Sequence, residues 1–240
     1  MYLVVLGAGR GTRLRPLTSD VPKPLVEIDD DVTILDATLS NAASYVDEAV
    51  IITGYQSEAF DRWRRNRDGD PAVTMEYNPQ YDTAGPIVSL AKALPHLERG
   101  DFMITNGDTL YDGPVFSVLD DDGWRGFALV VSRIPDPDPD NMKVRLEGGG
   151  VQEVEKVFDG HTSDVVSAGA LIVRGEDARG AFVDALTRFV EEESNAYWHE
   201  LVTYLAGLGH QIDPHFVESE AWHEVDTPTD LRAVLSHGVD

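Results

Sequence analysis

The chain has 240 residues and a formal net charge of −24, from 43 Asp and Glu against 19 Lys and Arg. With 42% hydrophobic and 26% charged residues it has the proportions of a globular protein with a full core, which excludes a disordered chain. The lack of cysteine excludes disulfides, thiolate metal sites and a cysteine nucleophile. Such acidity also excludes extended anionic partners such as nucleic acid or an anionic membrane surface.

In chain order, Tyr2–Leu6 reads as a short buried strand that runs into a Gly/Arg/Pro loop. Residues 33–46 have helical spacing, with Ile34, Leu35, Leu39 and Ala42 on one face. Ala49–Thr53 is a second strand, 56–66 an Arg-rich polar helix, Val73–Tyr77 a third strand, 86–97 a helix and Phe102–Thr105 a fourth strand. Strands alternating with helices of this length predict a mostly parallel sheet covered on both faces, a Rossmann-like α/β fold. Phe127–Ser132, Lys143–Leu146, Val151–Val157 and Val165–Val173 follow with few helices between them, which predicts a smaller antiparallel or mixed part. Helices at 175–192 and 196–208 and a strand near 211–217 come next. A last helix starts at Pro228, with Thr227 as N-cap and Asp230 completing a capping box.

No linker divides the chain, so one domain over 1–240 is expected. No apolar run approaches the roughly 18 residues of a membrane span. No basic stretch precedes the first apolar run, which predicts a cytoplasmic protein without a cleaved signal. The 27 Asp and 16 Glu are spread along the chain beside only 4 Lys, a pattern expected of adaptation to high salt, where screening relieves self-repulsion. Asp136–Asn141 alternates Asp with Pro. Asp136, Asp138 and Asp140 partly match calcium-loop spacing, but Asn141 stands where the turn glycine belongs, so a stiff solvated loop is expected.

The first loop, Gly7-Ala8-Gly9-Arg10-Gly11-Thr12-Arg13-Leu14-Arg15-Pro16, lacks the third glycine of a dinucleotide fingerprint, and Pro16 interrupts the helix that should follow. What it offers is a run of backbone N–H groups at a strand end with guanidinium groups beside them, a combination suited to a triphosphate. Between Gly7 and Leu25 four cations face one acid, Asp20, against the trend of the whole chain. In Val21-Pro22-Lys23-Pro24, both Val21 and Lys23 precede prolines, which predicts extended backbone and an aimed ammonium group.

The run GAGRGTRLRPLT…PKPL resembles the signature of the nucleotidyltransferases that activate sugar phosphates and related small phosphomonoesters. The resemblance implies that Leu6, Gly7, Ala8, Gly9, Gly11, Thr12 and Arg13, with Asn78, Ala84, Gly85 and Gly107, hold an NTP. Arg13 and Lys23 would be catalytic, neutralising charge as the acceptor phosphate attacks the α-phosphorus in line and pyrophosphate leaves. Asp108, at the end of an apolar strand, and Asp226 with Glu224, in the stretch WHEVDTP, match the family's metal positions, and oxygen-only ligands beside phosphates favour Mg²⁺.

Val154-Glu155-Lys156-Val157 is similar to the sugar enzymes' Glu-Lys-Pro motif, and Ser167-Ala168-Gly169 stands where they have Asn-Ala-Gly. Glu155, Lys156 and Gly169 are therefore expected at the acceptor, most simply a sugar 1-phosphate. The short chain, Asn78 with Ser89-Leu90, Tyr197-Trp198 and the WHEVDTPTDL ending resemble bacterial choline-phosphate cytidylyltransferases instead. That alternative is a CTP-dependent enzyme acting on choline phosphate or a polyol phosphate, with Tyr197, Trp198 and Trp222 around the quaternary ammonium. A non-catalytic nucleotide sensor is the alternative of another class; it predicts loss of Arg13, Lys23, Asp108 or Asp226, and all four are present. Homo-oligomerisation stays open.

Overall fold

The computed structural model describes residues 1–67, 69–120, 123–158 and 163–237. The first half contains β1 (Tyr2–Leu6), a hairpin of β2 (Glu27–Asp29) and β3 (Val32–Thr33), α1 (Ile34–Ala42), β4 (Glu48–Thr53), α2 (Ser57–Asn66) and β5 (Ala72–Tyr77). After these come α3 (Pro86–Ala91), α4 (Leu94–Leu97), β6 (Phe102–Asn106), β7 (Thr109–Tyr111) and α5 (Gly113–Phe116). The second half holds β8 (Gly126–Arg133), β9 (Lys143–Glu147), β10 (Gly150–Glu155), β11 (Val165–Arg174), α6 (Glu176–Glu192), α7 (Trp198–Gly207), β12 (Ile212–Phe216), β13 (Trp222–Glu224) and α8 (Pro228–His237).

Among the described residues nine strands form one mixed sheet. The sequence β6-β1-β4-β5 is parallel, and β11 attaches to β6 antiparallel. β8 pairs antiparallel with β11, β12 joins β8 in parallel, and β9 and β10 lie beyond the other end of β11. The parallel strands are apolar throughout because both faces are covered. Leu3, Val5 and Ile51 face the layer of α1, α2 and α5, whereas Val4, Val50 and Ile52 face that of α3, α6 and α7.

The chain passes from β1 outward to β4 and β5, then returns to the other side of β1 as β6. The crevice between β1 and β6, beyond their C-terminal ends, is therefore the switch point where open α/β sheets take ligands.

Several sequence expectations change. The helix expected over 86–97 is two pieces, because the Pro95 ring clashes with the carbonyl four residues earlier and α3 stops at Ala91. The helix expected over 33–46 ends at Ala42, with Thr33 as its cap. The segment at Lys23 is not extended: Lys23–Leu25 closes one 3-10 turn, which accommodates Pro24 because a first-turn N–H needs no partner. The capping box at α8 forms as expected, with Asp230 accepting the Thr227 N–H at 2.7 Å.

Candidate functional site

The glycine loop is pinned from three sides. Gly7 N–H donates to Ile52 at 2.9 Å, continuing the β1–β4 ladder by one residue, and Tyr55 N–H donates to the Ala8 carbonyl at 3.0 Å. Gly11 takes a left-handed conformation (φ 56°) and starts a 3-10 turn, Thr12–Leu14, whose Leu14 is fully buried. The Thr18 hydroxyl closes the loop onto the Gly11 carbonyl at 2.6 Å. Opposite, Gly107 N–H donates to the Leu6 carbonyl at 3.1 Å. A side chain at Gly107 would meet that carbonyl at 2.7 Å and the Gly7 Cα at 3.0 Å, so only glycine lets the ends of β1 and β6 approach this closely.

Lys23 lies beneath this loop, buried. Its ammonium donates to Asp108 Oδ2 at 2.8 Å and also to Asp226 Oδ1. Burial alone would lower its pKa, but the two carboxylates outweigh burial and hold it above the ordinary value. Asp226 reaches the site because β13 pairs with β7, placing Glu224 opposite Thr109, and Val225 N–H then donates to the Asp108 carbonyl at 2.9 Å. Arg13 donates to Asp226 Oδ2 at 2.6 Å and to Asp140 Oδ2 at 2.8 Å, and Lys156 Nζ lies 3.3 Å from Asp140 Oδ1. The result is an alternating chain of charge: Asp108, Lys23, Asp226, Arg13, Asp140, Lys156. Glu224 stands beside it, its pKa pushed up to about 7 by burial and by the Asp108 and Asp226 carboxylates.

Two adjoining cavities, of about 270 and 250 Å³, share Leu6, Gly9, Arg13, Asp108 and Asp226 in their walls. The smaller takes Gly7, Gly11, Thr12, Lys23 and Gly107 as well. The larger takes Ala8, Ala84, Gly85, Lys156, Gly169, Tyr197, Trp198 and Glu224. Asn78 stands one step behind the wall, its amide donating to the Ser89 hydroxyl at 2.9 Å while Ser89 lines the cavity.

Two expected acceptor residues lie elsewhere. Trp222 points into the core, 6% exposed, with its indole N–H on the Ser132 hydroxyl of β8 at 2.8 Å, packed in the apolar layer that covers Leu3 and Val5. Glu155 is exposed at the end of β10 and is not part of the wall; burial and neighbouring Glu153 and Glu200 raise its pKa.

Other wall residues receive no role from the sequence. Asn106, at the tip of β6, could have been found from its position one residue before Gly107-Asp108. Asp140 belongs to the loop expected to be merely solvated. Ser167 and His199 meet at 3.1 Å inside the cavity, where β11 bulges and Gly169 adopts φ 74°. Tyr111 braces that bulge from β7, its hydroxyl donating to the Gly169 carbonyl at 2.9 Å.

Among the described residues no group of three or more Asp, Glu, His or Cys is placed to hold a metal, so Asp108, Glu224 and Asp226 do not form a three-carboxylate cage. The reason is Lys23, which takes an oxygen of both Asp108 and Asp226. The donor set still fits a hard divalent cation, since Mg²⁺ commonly needs one or two carboxylates and completes its shell with water and substrate phosphates. The charge count points the same way. Three cations are already matched by three carboxylates, so a divalent cation would offset part of the charge that a triphosphate brings in.

A family model described as nucleotidyl transferase matches residues 2–135. The bifunctional protein GlmU of Methanococcus aeolicus is 25% identical over 227 residues, covering 84% of this chain and 51% of the relative. The mannose-1-phosphate guanyltransferase of Gibberella zeae is 29% identical over 151 residues, 60% of this chain and 41% of the relative. The chain thus spans about half the length, or less, of these curated relatives. Among solved structures, the inositol-1-phosphate CTP transferase from T. maritima superposes with a TM-score of 0.80 at 19% identity, covering 100% of this chain and 97% of that one. The CTP:phosphocholine cytidylyltransferase from Streptococcus pneumoniae superposes with a TM-score of 0.76 at 19% identity, covering 98% and 97%. These likenesses establish the fold, a mixed α/β sheet flanked by helices.

Proposed function

The chain belongs to the nucleotidyl transferase family, and we propose that it transfers a nucleoside monophosphate from an NTP to a small phosphomonoester, most simply a sugar 1-phosphate, with release of pyrophosphate. The observation that carries this reading is the placement of one buried ammonium, Lys23, against Asp108 and Asp226 directly beneath a glycine loop.

The N–H groups of the Ala8–Thr12 part of the loop bind the β- and γ-phosphates, the Gly7 N–H being spent on Ile52. Gly107 keeps the floor low enough for the triphosphate to settle between β1 and β6. Lys23 and Arg13 neutralise charge that builds on the α-phosphate and on the departing pyrophosphate, each worth about two orders of magnitude in rate. The acceptor phosphate is already an anionic nucleophile, so no general base is required, and Lys156 orients it from the opposite wall. A Mg²⁺ held by Asp108 and Asp226 would supply Lewis-acid neutralisation of the phosphate oxygens. Ala84 and Gly85, backed by Asn78 and Ser89, form the wall on the base side.

On this reading residues 1–240 act as one catalytic domain in a cytoplasm of high salt. No helix among the described residues is long and apolar enough to cross a membrane. The test is pyrophosphate release with each NTP across sugar, polyol and choline phosphates, in Mg²⁺ and molar KCl. Turnover that falls by about two orders of magnitude or more in a folded Lys23→Ala protein supports the proposal. Tight NTP binding without turnover for any pair overturns it in favour of a nucleotide sensor.

A further inference from the structure

The acceptor side of the cleft differs in chemistry from the phosphate side. Recognition of a quaternary ammonium needs open aromatic faces within about 6 Å of the cation. The rings here are already engaged: Tyr81, also in the wall, has the Arg10 guanidinium 5.9 Å from its ring centroid. Lys156 Nζ sits 5.3 Å from the centroid of the Tyr197 ring. Trp198, only 2% exposed, stacks on the His199 imidazole at 3.8 Å between centroids and donates its indole N–H to Asn106 Oδ1 at 2.8 Å. Trp222 is in the core. Three of the four acids in the wall are already paired: Asp108 and Asp226 bond Lys23, and Asp140 bonds Arg13 and Lys156; the fourth, Glu224, is held towards its neutral form by burial and by Asp108 and Asp226.

The wall offers uncharged hydrogen-bonding groups instead. Ser167 Oγ accepts the Gly169 N–H at 3.1 Å and lies 3.1 Å from His199 Nε2. His199 is 4% exposed, and its Nδ1 is buried with no hydrogen-bond partner among the described residues. A polar atom left unmet at this depth is costly, and such atoms concentrate where a ligand or water completes the network. The imidazole stays neutral at ordinary pH, its pKa pushed down to about 3 by burial and then by the Lys156 charge.

Resting on the nucleotidyl-transfer reading, we propose that the acceptor is a phosphomonoester whose far end is uncharged and hydroxylated, and that Lys156 excludes a quaternary-ammonium headgroup from the Tyr197 ring. Lys156 is thus a specificity-determining residue: it attracts the phosphate common to all candidate acceptors, and it repels and displaces any second cation.

The experiment is calorimetric titration of the full chain, in Mg²⁺ and molar KCl, with inositol 1-phosphate, a hexose 1-phosphate and choline phosphate. At least one hydroxylated ligand should bind roughly ten-fold or more tightly than choline phosphate. Lys156→Met should weaken the hydroxylated ligands and shrink that ratio several-fold, and adding Tyr197→Leu should cancel whatever choline phosphate gained from the uncovered ring. Choline phosphate binding as tightly as the best hydroxylated ligand, no binding by either class, or an unchanged ratio in Lys156→Met overturns the proposal. Pyrophosphate release with the same ligands separates the two readings. Selective binding without turnover removes nucleotidyl transfer and leaves the selectivity; turnover of choline phosphate with a comparable kcat/KM does the reverse.

Discussion

Arg13 and Asp140, 127 positions apart in the chain, meet at 2.8 Å across the mouth of the cleft. The same carboxylate lies 3.3 Å from Lys156, so it bridges a cation from the nucleotide wall and one from the acceptor wall. Lys156 first, and Arg13 after it, hold the Asp140 carboxyl below its ordinary pKa. Without substrate, Asp140 stands where an anion binding both walls would stand.

Asp140→Asn should therefore lower the KM for the acceptor phosphate, by roughly two- to five-fold given how exposed the pair is. The kcat should change little, because Arg13 keeps its contact with Asp226. Initial-rate measurements at fixed NTP check this; an unchanged or raised acceptor KM would show that Asp140 does not compete.

Lys23→Met removes the ammonium that joins Asp108 to Asp226. In metal-free buffer the two carboxylates are left facing each other near Glu224, at a cost of about 3 kcal/mol. The kcat/KM should fall by about 10²- to 10³-fold. Mg²⁺ should raise the melting temperature of the variant more than that of the wild type, since a divalent cation replaces the missing charge. An equal response in both proteins would place the metal elsewhere.

His199 has a folded pKa of about 3 against an ordinary value of 6.5. Between those limits the unfolded chain takes up a proton that the folded chain refuses. Its contribution is therefore complete above pH 6.5 and is lost as pH falls, by about 1.4 kcal/mol per unit. Glu224, with its pKa pushed up to about 7, titrates in the same window with the opposite sign. The check is therefore the difference between wild type and His199→Asn in denaturant unfolding at pH 7, 6 and 5: the variant should lose less stability over that range.

Self-repulsion among 43 acidic side chains weakens as the screening length shrinks from about 10 Å at 0.1 M salt to about 3 Å at 1 M. Raising KCl from 0.1 to 2 M should lift the melting temperature by about 5 °C or more. Sucrose, which leaves the charges unscreened, gives the control; an equal gain in sucrose would remove charge screening as the cause.

The glycine-loop side of the site, which the proposed function gives to the phosphates, was legible because its information is local. Gly7 to Arg13, Lys23 and Asp108 each sit at a strand end or in a turn whose chemistry is written in adjacent residues, and periodicity located β1, β4 and β6 nearly to the residue. The acceptor side was less legible because it depends on what faces what. Trp222 and Trp198 look alike as aromatic residues near the C-terminal part of the chain, yet packing against β8 buries one in the core while helix α7 presents the other to the cleft. Asp140 has the composition of a solvent loop, and only the path of the chain between β8 and β9 brings it to Arg13. Ser167 gains its partner from the bulge at Gly169, a backbone event that side-chain pattern does not announce.

The β7–β13 ladder has a mechanical consequence. Asp108 immediately precedes β7 and Asp226 lies two residues past β13, so main-chain hydrogen bonds, extended by Val225 to the Asp108 carbonyl, fix the span between the two carboxylates. The opposite wall, built from β11, α7 and the loop before β9, meets that ladder through the Tyr111 hydroxyl on the Gly169 carbonyl, a side-chain bond rather than a main-chain one. On the proposed reading a different guest would press against that one bond while the main-chain ladder holds the span between Asp108 and Asp226, as the jaws of a caliper keep their setting whatever object is brought to them.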